Sequence, residues 1–265
     1  MTQVLDTNHD VSNRLAALQA AGVKTVIRYI GSTSNPDKYI HAEEARRIGL
    51  AGMKLACVFE IWGGADNFSH GDITAANGAR YGAFAKQWME TVGAPRGAAV
   101  YFAIDTDASD IQIRNVVLPF FQAAKQALGP DYRMGVYGCG AVCAAVLDGG
   151  LASLAWLSNA MGWNGSRAFR DSKRWVLLQH LPATIAGLDT DPDDVLPTAN
   201  GQLADIGDFV PFSGALPPPA PAPQPVHDAF WLQSRLNALG AVPTLAVDGD
   251  IGPRSVAAIE KYLPA

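Results

Sequence analysis

The chain reads as an α/β protein, a (β/α)8 TIM-like barrel followed by a Pro-rich linker and a small C-terminal helical module. Three observations carry this expectation. Eight short apolar runs of β type recur between residues 4 and 191, helix-periodic segments separate the early ones, and several of the runs end in an acid. Eight parallel strands are the number that closes such a barrel, and alternating β and α periods favour a parallel sheet. A doubly wound open sheet is the main competitor. Against it, no Gly-rich phosphate loop follows the first strand, and Asp6 occupies that position instead.

The runs are VLDT (4–7), TVIRYI (25–30), KLACVFEI (54–61), AAVYFAID (98–105), RMGVYG (133–138), SLAWLSN (153–159), WVLLQH (175–180) and IAGLDTD (185–191). Apolar residues at helical spacing fill Val11 to Ala21, His41 to Leu50, Ala75 to Val92 and Ile111 to Leu128. Later helices are weaker, and residues 181–184 leave no room for one. GALPPPAPAPQPVHD (214–228) cannot form helix or sheet interior and should run as an extended spacer. The expected domains are a barrel over 1–213, the linker over 214–228 and a short module over 229–265.

Composition narrows the function classes. With 49% hydrophobic and 17% charged residues, the 265-residue chain has an ordinary globular balance. A net charge of −5, without a Lys/Arg cluster, argues against nucleic acid as a partner. No apolar run reaches membrane-spanning length, so no membrane insertion is expected. MTQVLDTNHD lacks the basic and apolar regions of a secretory signal, and the three cysteines suggest no disulfide framework. Synthesis in a reducing cytoplasm follows as the expectation. Cys139 and Cys143 share helical spacing, but no His or Cys completes a tetrahedral set, and they read as small buried residues. Neither HExxH nor a Ser-His-Asp order stands out, so no metal and no cofactor are expected.

The run YFAIDTD (101–107) carries Asp105 and Asp107, two residues apart and so on one face of an extended strand. Neighbouring acids push their pKa values apart, which supplies a proton donor and a stabiliser of positive charge, as glycosidic cleavage requires. The same sequence also caps helices, and that structural reading stands beside the catalytic one. In a parallel barrel, catalytic groups sit at the carboxyl ends of strands. Asp6, Glu60, Asp105, Asp107 and Asp189 fall there and are the catalytic candidates. Tyr29, Trp62, Tyr137, Trp156 and Gln179 fall at the same ends and are the candidate sugar-binding residues, although Trp156 is equally readable as core.

The set VLDT, TVIRYIG, VFE, YFAIDTD, GVYG, AWLSNAMGW and LLQH…GLDTD resembles the Rv2525c-like glycoside-hydrolase-like domain (domain of unknown function 1906) over residues 2 to about 208. That family is allied to the family 25 lysozymes, (β/α)-barrel enzymes that cleave the glycan strands of peptidoglycan. The resemblance matches Asp6, Asp105 and Asp189 to lysozyme acids on the first, a middle and the last strand. It departs at Asp107, where the lysozymes carry Glu, so Glu60 or Asp107 would be the general acid. FWLQSRLNALG (230–240) and VDGDIGPRSVAAIEKYL (247–263) resemble a type 1 peptidoglycan-binding domain, here shorter than usual.

The resemblance implies a muramidase-type peptidoglycan hydrolase, monomeric, whose partner is the glycan strand and whose tail anchors it to the wall. Without a signal, an endolysin or injected effector would act on the wall after passing a holin-type pore or a secretion apparatus, with antimicrobial effect. The alternative is a non-catalytic wall-binding protein with a degenerate barrel site.

Overall fold

The computed structural model describes residues 3–31, 38–60, 68, 71–213, 229–245, 247 and 251–262. Seven strands lie side by side in chain order and parallel: β1 (Val4–Thr7), β2 (Thr25–Ile30), β3 (Lys54–Phe59), β4 (Ala99–Ile104), β5 (Arg133–Gly138), β6 (Leu154–Leu157) and β7 (Leu177–Gln179). A hairpin of β8 (Ala183–Ile185) and β9 (Leu188–Val195) follows, and β9 closes the ring by pairing with both β7 and β1. The result is the closed eight-stranded barrel, with β8 outside it.

One expectation is corrected here. The last barrel strand runs antiparallel to its neighbours, not parallel. A parallel return needs a crossover of a dozen or more residues, and the chain between β7 and β9 holds only the short strand β8. The open end of the barrel, at the carboxyl ends of β1 to β7, is therefore met by the amino-terminal part of β9.

Helices follow six of the strands: α1 (Leu15–Ala20), α2 (Ala42–Leu50), α3 (Ala75–Thr91), α4 (Asp110–Gln112), α5 (Leu118–Leu128), α6 (Gly140–Asp148) and α7 (Ser166–Ser172), with a π-helical turn, Ile113–Val117, joining α4 to α5. Their starts are chemically marked. Thr74 caps α3 through the Asn77 N–H, and Ser109 with Gln112 forms a capping box on α4.

Strand alternation sorts the side chains. Val4, Ile27, Val58, Ala99, Tyr101, Tyr137, Leu154, Trp156 and Leu177 fill the barrel interior, whereas Leu5, Val26, Leu55, Phe102, Val136 and Leu157 pack outward beneath the helices. The amino-terminal end of the barrel is closed by residues 205–209. Ile206 plugs it, its carbonyl accepting from the Tyr101 hydroxyl at 2.8 Å, and Phe209 bridges to Leu55. Gly207, at φ +77°, passes so close that a Cβ would lie 2.2 Å from that of Ala99. Only the opposite end of the barrel is left to carry a site.

Among the described residues, 3–213 form one compact unit and 229–262 a second. The linker over 214–228 lies outside the described residues. In the tail, α8 (Ala229–Ala238) and α9 (Pro253–Tyr262) share a small core of Leu236, Ala241, Leu245 and Ala258. Asn237 ties the connection down, its side chain bonding both the N–H and the carbonyl of Leu245. Leu239 is exposed at the helix end.

Candidate active site

Inward-facing positions at the open end of the barrel bring acids together from four strands. Asp6 ends β1, Glu60 follows β3, Asp105 follows β4, and Asp191 on β9 stands directly opposite Asp6. Asp6 is 1% exposed and Glu60 9% exposed, so both carboxyl groups are almost wholly withdrawn from water. A chain of hydrogen bonds runs round the mouth. The Tyr29 hydroxyl donates to Asp6 Oδ1 and the Gln179 amide to Asp6 Oδ2, each at 2.9 Å. The Tyr137 hydroxyl lies 2.8 Å from Gln179 Oε1 and 3.4 Å from Asp105 Oδ1, and its one proton goes to the nearer acceptor.

Burial sets the protonation of this cluster. It pushes Asp6 up to about 8, the charge of Asp191 adds to the rise, and the bonds from Gln179 and Tyr29 oppose it. Glu60 is raised by burial against the pull of Lys38, whose ammonium lies 2.8 Å from Glu60 Oε1, and Asp105 raises it further. Asp191 is raised by burial and then by Asp105. A mouth of this kind holds carboxylic acids that keep protons where free carboxylates would have lost them. It is equipped for general acid chemistry on a bond that develops cationic character.

Sequence reasoning located most of these groups and misplaced three. Asp107 was expected beside Asp105, but β4 ends at Ile104, so the alternation of the strand no longer governs it. Asp107 is exposed, and its Oδ1 accepts from the Asn164 N–H at 2.7 Å, pinning the loop before α7. Asp189 was expected as the acid of the last strand. Because β9 is antiparallel, Asp189 projects beyond the rim, exposed and paired with Thr184 of β8, and Asp191 takes the position facing Asp6. Trp156 was offered as a sugar platform, but it is 1% exposed and packs edge-on against Tyr101 and Tyr137 inside the barrel. Trp62 lies outside the described residues.

Besides Asp191, three polar groups were missed altogether. Lys38 comes from the loop before α2, where no periodicity marks it. Asp193 lies within the barrel, accepting from Trp156 Nε1 at 2.7 Å, and burial followed by the charge of Asp6 raises it well above the usual carboxylate range. Ser158, just beyond β6, is buried with its hydroxyl unpartnered among the described residues. The even spacing of Asp189, Asp191 and Asp193 was a usable signal for one acidic face.

Two predictions follow from these placements. Asp107→Ala should cost about 1 kcal/mol of stability, while Asp107→Asn should leave stability nearly unchanged, because its Oδ1 still accepts from the Asn164 N–H. Urea unfolding checks both. The raised acids also give stability a direction in pH. Their contribution is complete below about pH 4, where the unfolded chain is protonated too, and is lost as pH rises through the folded value of about 8 for Asp6. Tm should therefore fall between pH 5 and 9, and Asp6→Asn should raise Tm at pH 9 by roughly 5 °C. A profile that is flat in the wild type, or unchanged in the variant, would contradict the burial argument.

One further group of donors exists among the described residues: Asp10, His41 and Glu44 bring one ligand atom each within 4.8 Å. Each of them is already hydrogen-bonded within the protein. His41 Nδ1 caps α2 by accepting from the Glu44 N–H, its Nε2 meets Asp10, and the Glu44 carboxylate is bound by Arg28 and the Val11 N–H. Among the described residues no helix is long and apolar enough to cross a membrane.

Comparisons with known proteins agree with this architecture. The uncharacterised proteins FadG and YbfG of Bacillus subtilis are 28% and 26% identical over 183 and 200 residues, covering 66% and 68% of this chain. The chain spans 31% and 27% of their lengths, less than a third of either. Rv2525c of Mycobacterium tuberculosis, named provisionally as a peptidoglycan hydrolase, is 23% identical over 193 residues, 71% of this chain and 78% of that protein. The crystal structure of the Tat-secreted Rv2525c shares the fold with a TM-score of 0.62, covering 77% of this chain and 99% of that one. The family model of the Rv2525c-like, glycoside hydrolase-like domain matches residues 16–186, a span that holds Glu60 and Asp105 but not the strands bearing Asp6 and Asp191. With well over half of its length matched, the chain belongs to the Rv2525c-like, glycoside hydrolase-like family.

Proposed function

We propose that this protein is a peptidoglycan hydrolase of muramidase type, cleaving glycan strands between N-acetylmuramic acid and N-acetylglucosamine at the mouth of the barrel. The observation that carries the reading is the cluster of buried Asp6 and Glu60 with half-buried Asp105 and Asp191, in which burial raises Asp6, Glu60 and Asp191. The provisional naming of the relative Rv2525c supports the substrate class. Glu60 gives its proton to the leaving glycosidic oxygen as the bond to the anomeric carbon breaks, and a water molecule then bonds to that carbon through its oxygen while its released proton returns to Glu60. Asp105 orients the substrate's acetamido group or faces the oxocarbenium-like charge, while Asp6 and Asp191 hold the network and keep the neighbouring acids protonated. Tyr29 and Gln179 hold the Asp6 carboxyl group by hydrogen bonds, and Tyr137 in turn holds Gln179. The place of action is the cell wall.

Mass spectrometry of muropeptides after incubation with purified peptidoglycan tests this. New muramic acid reducing ends are expected. Intact strands, with the protein sedimenting alongside the walls, would instead establish the second reading, a glycan-binding protein without turnover. The Lys38 ion pair favours that reading, since an ammonium against Glu60 holds back its proton uptake.

The tail is proposed to anchor the barrel to the wall. Deleting residues 229–265 should reduce sedimentation with insoluble walls by about tenfold or more, leaving the rate on soluble glycan fragments unchanged, because tethering raises local concentration without adding chemistry. Equal sedimentation of the shortened and full-length chains would remove this role.

A further inference from the structure

A groove of about 720 Å³ opens beside the mouth, outside the seam where β1 meets β9. One wall is the loop after β1, carrying His9, Asp10, Asn13 and Arg14, and the other is the start of β9, with Leu188 and Asp189. Thr7 fixes both walls to the rim. Its hydroxyl donates to the Asp189 carbonyl at 2.8 Å and accepts from the His9 N–H at 3.2 Å. The residue before Thr7 is Asp6, and Asp191, opposite Asp6, lies two residues from Asp189, about 7 Å along the strand. The groove thus lies next to the Asp6–Asp191 seam.

The lining is unlike a sugar subsite. Among the described residues its lining holds no tyrosine, tryptophan or phenylalanine to meet a pyranose ring, and its polar groups carry charges of both signs. Arg14 and Asp189 are exposed, and among the described residues neither has an ion-pair partner. Asp10 is partly engaged, by the Ser12 N–H and by His41. Arg14 reaches toward the β8–β9 turn, its guanidinium 3.9 Å from where a Cβ on Gly187 would stand, a glycine at φ +74°. A forked donor and two carboxylates in one groove match a ligand that carries carboxylate and ammonium groups at short spacing.

We propose that this groove binds the stem peptide of the muramic acid residue next to the scissile bond. Arg14 holds a peptide carboxylate, and Asp189 with Asp10 receives the ammonium of a diamino residue. The proposal rests on the peptidoglycan reading above and assigns the specificity of that same site. Peptide-bearing strands are then the preferred substrate, and glycan stripped of its stems the poorer one.

Binding of a soluble muramyl tripeptide, N-acetylmuramyl-alanyl-glutamyl-diaminopimelate, to the full chain decides this without requiring turnover. Calorimetry should show binding that Arg14→Glu weakens roughly tenfold or more, and that Asp189→Asn weakens for this tripeptide but not for one ending in alanine. No detectable binding at millimolar tripeptide, or equal binding by wild type and Arg14→Glu, overturns the proposal. Kinetics supply the second reading. Arg14→Glu should lose the wild-type advantage on stem-bearing strands and cut amidase-stripped strands at the wild-type rate, whereas equal slowing on both overturns it. If the wild type cuts neither substrate yet binds the tripeptide through Arg14, the groove stands and the glycosidase reading falls.

Discussion

Glu60→Gln is expected to lower kcat on peptidoglycan by about 10³-fold, within the range that a positioned general acid contributes, with little change in KM. Glutamine keeps the length and shape of the side chain, so the variant isolates the proton. Asp107→Asn in parallel should leave the rate nearly intact, because Asp107 is exposed and bound to the Asn164 N–H. The pH profile sharpens the test. Burial raises Glu60 and Lys38 opposes the rise, so Lys38→Met should move the alkaline limb of kcat to higher pH. A Glu60→Gln enzyme within threefold of wild type would show that the proton comes from elsewhere, and Asp6, raised to about 8, would be the first place to look.

The legibility of this fold followed from how local the governing physics was. The seven parallel barrel strands announced themselves by composition, because a strand buried on both faces must be apolar at nearly every position, as in TVIRYI and AVYFAI, whereas β9, LDTDPDDV, carries acids along its length. The acids at strand ends were legible for the same reason, since Asp6, Glu60 and Asp105 interrupt apolar runs where the chain leaves the sheet. The direction of the last strand was not a local property. It depended on the connection after β7, and the missing helix at 181–184 was visible without its consequence, that Asp191 rather than Asp189 would face Asp6. Asp107 failed on a smaller scale. Alternation holds only while the backbone remains extended, and the strand stops three residues earlier, at Ile104. Lys38 left no pattern at all, because its place beside Glu60 is created by the packing of its loop.

Arg28 shows how far that packing reaches. It lies in the middle of the apolar run of β2, between Ile27 and Tyr29, and its side chain points outward beneath α2 with no exposure. Its Nε meets Glu44 Oε1 at 2.7 Å and one terminal nitrogen meets Oε2 at 3.2 Å, while the other binds the carbonyls of Thr7 and Lys38 at 2.6 and 3.2 Å. Glu44 also accepts from the Val11 N–H. One buried ion pair thus ties the end of β1, the loop carrying Lys38 and the start of α2 into a single block behind the mouth. Removing one partner leaves the other charged and buried, so Arg28→Met or Glu44→Gln should each lose about 3–5 kcal/mol of stability. Against a total of roughly 5–15 kcal/mol, that brings the barrel close to unfolding at 37 °C. The double variant Arg28→Met/Glu44→Leu should be clearly more stable than the sum of the single losses implies, since it buries no orphan charge. Urea midpoints for the three variants check this, and single losses below about 1 kcal/mol would show that water reaches the pair. The double variant also separates stability from function. If it folds, loss of the guanidinium bond to the Lys38 carbonyl should loosen the ammonium from Glu60 and move the alkaline limb of kcat to higher pH, as in Lys38→Met.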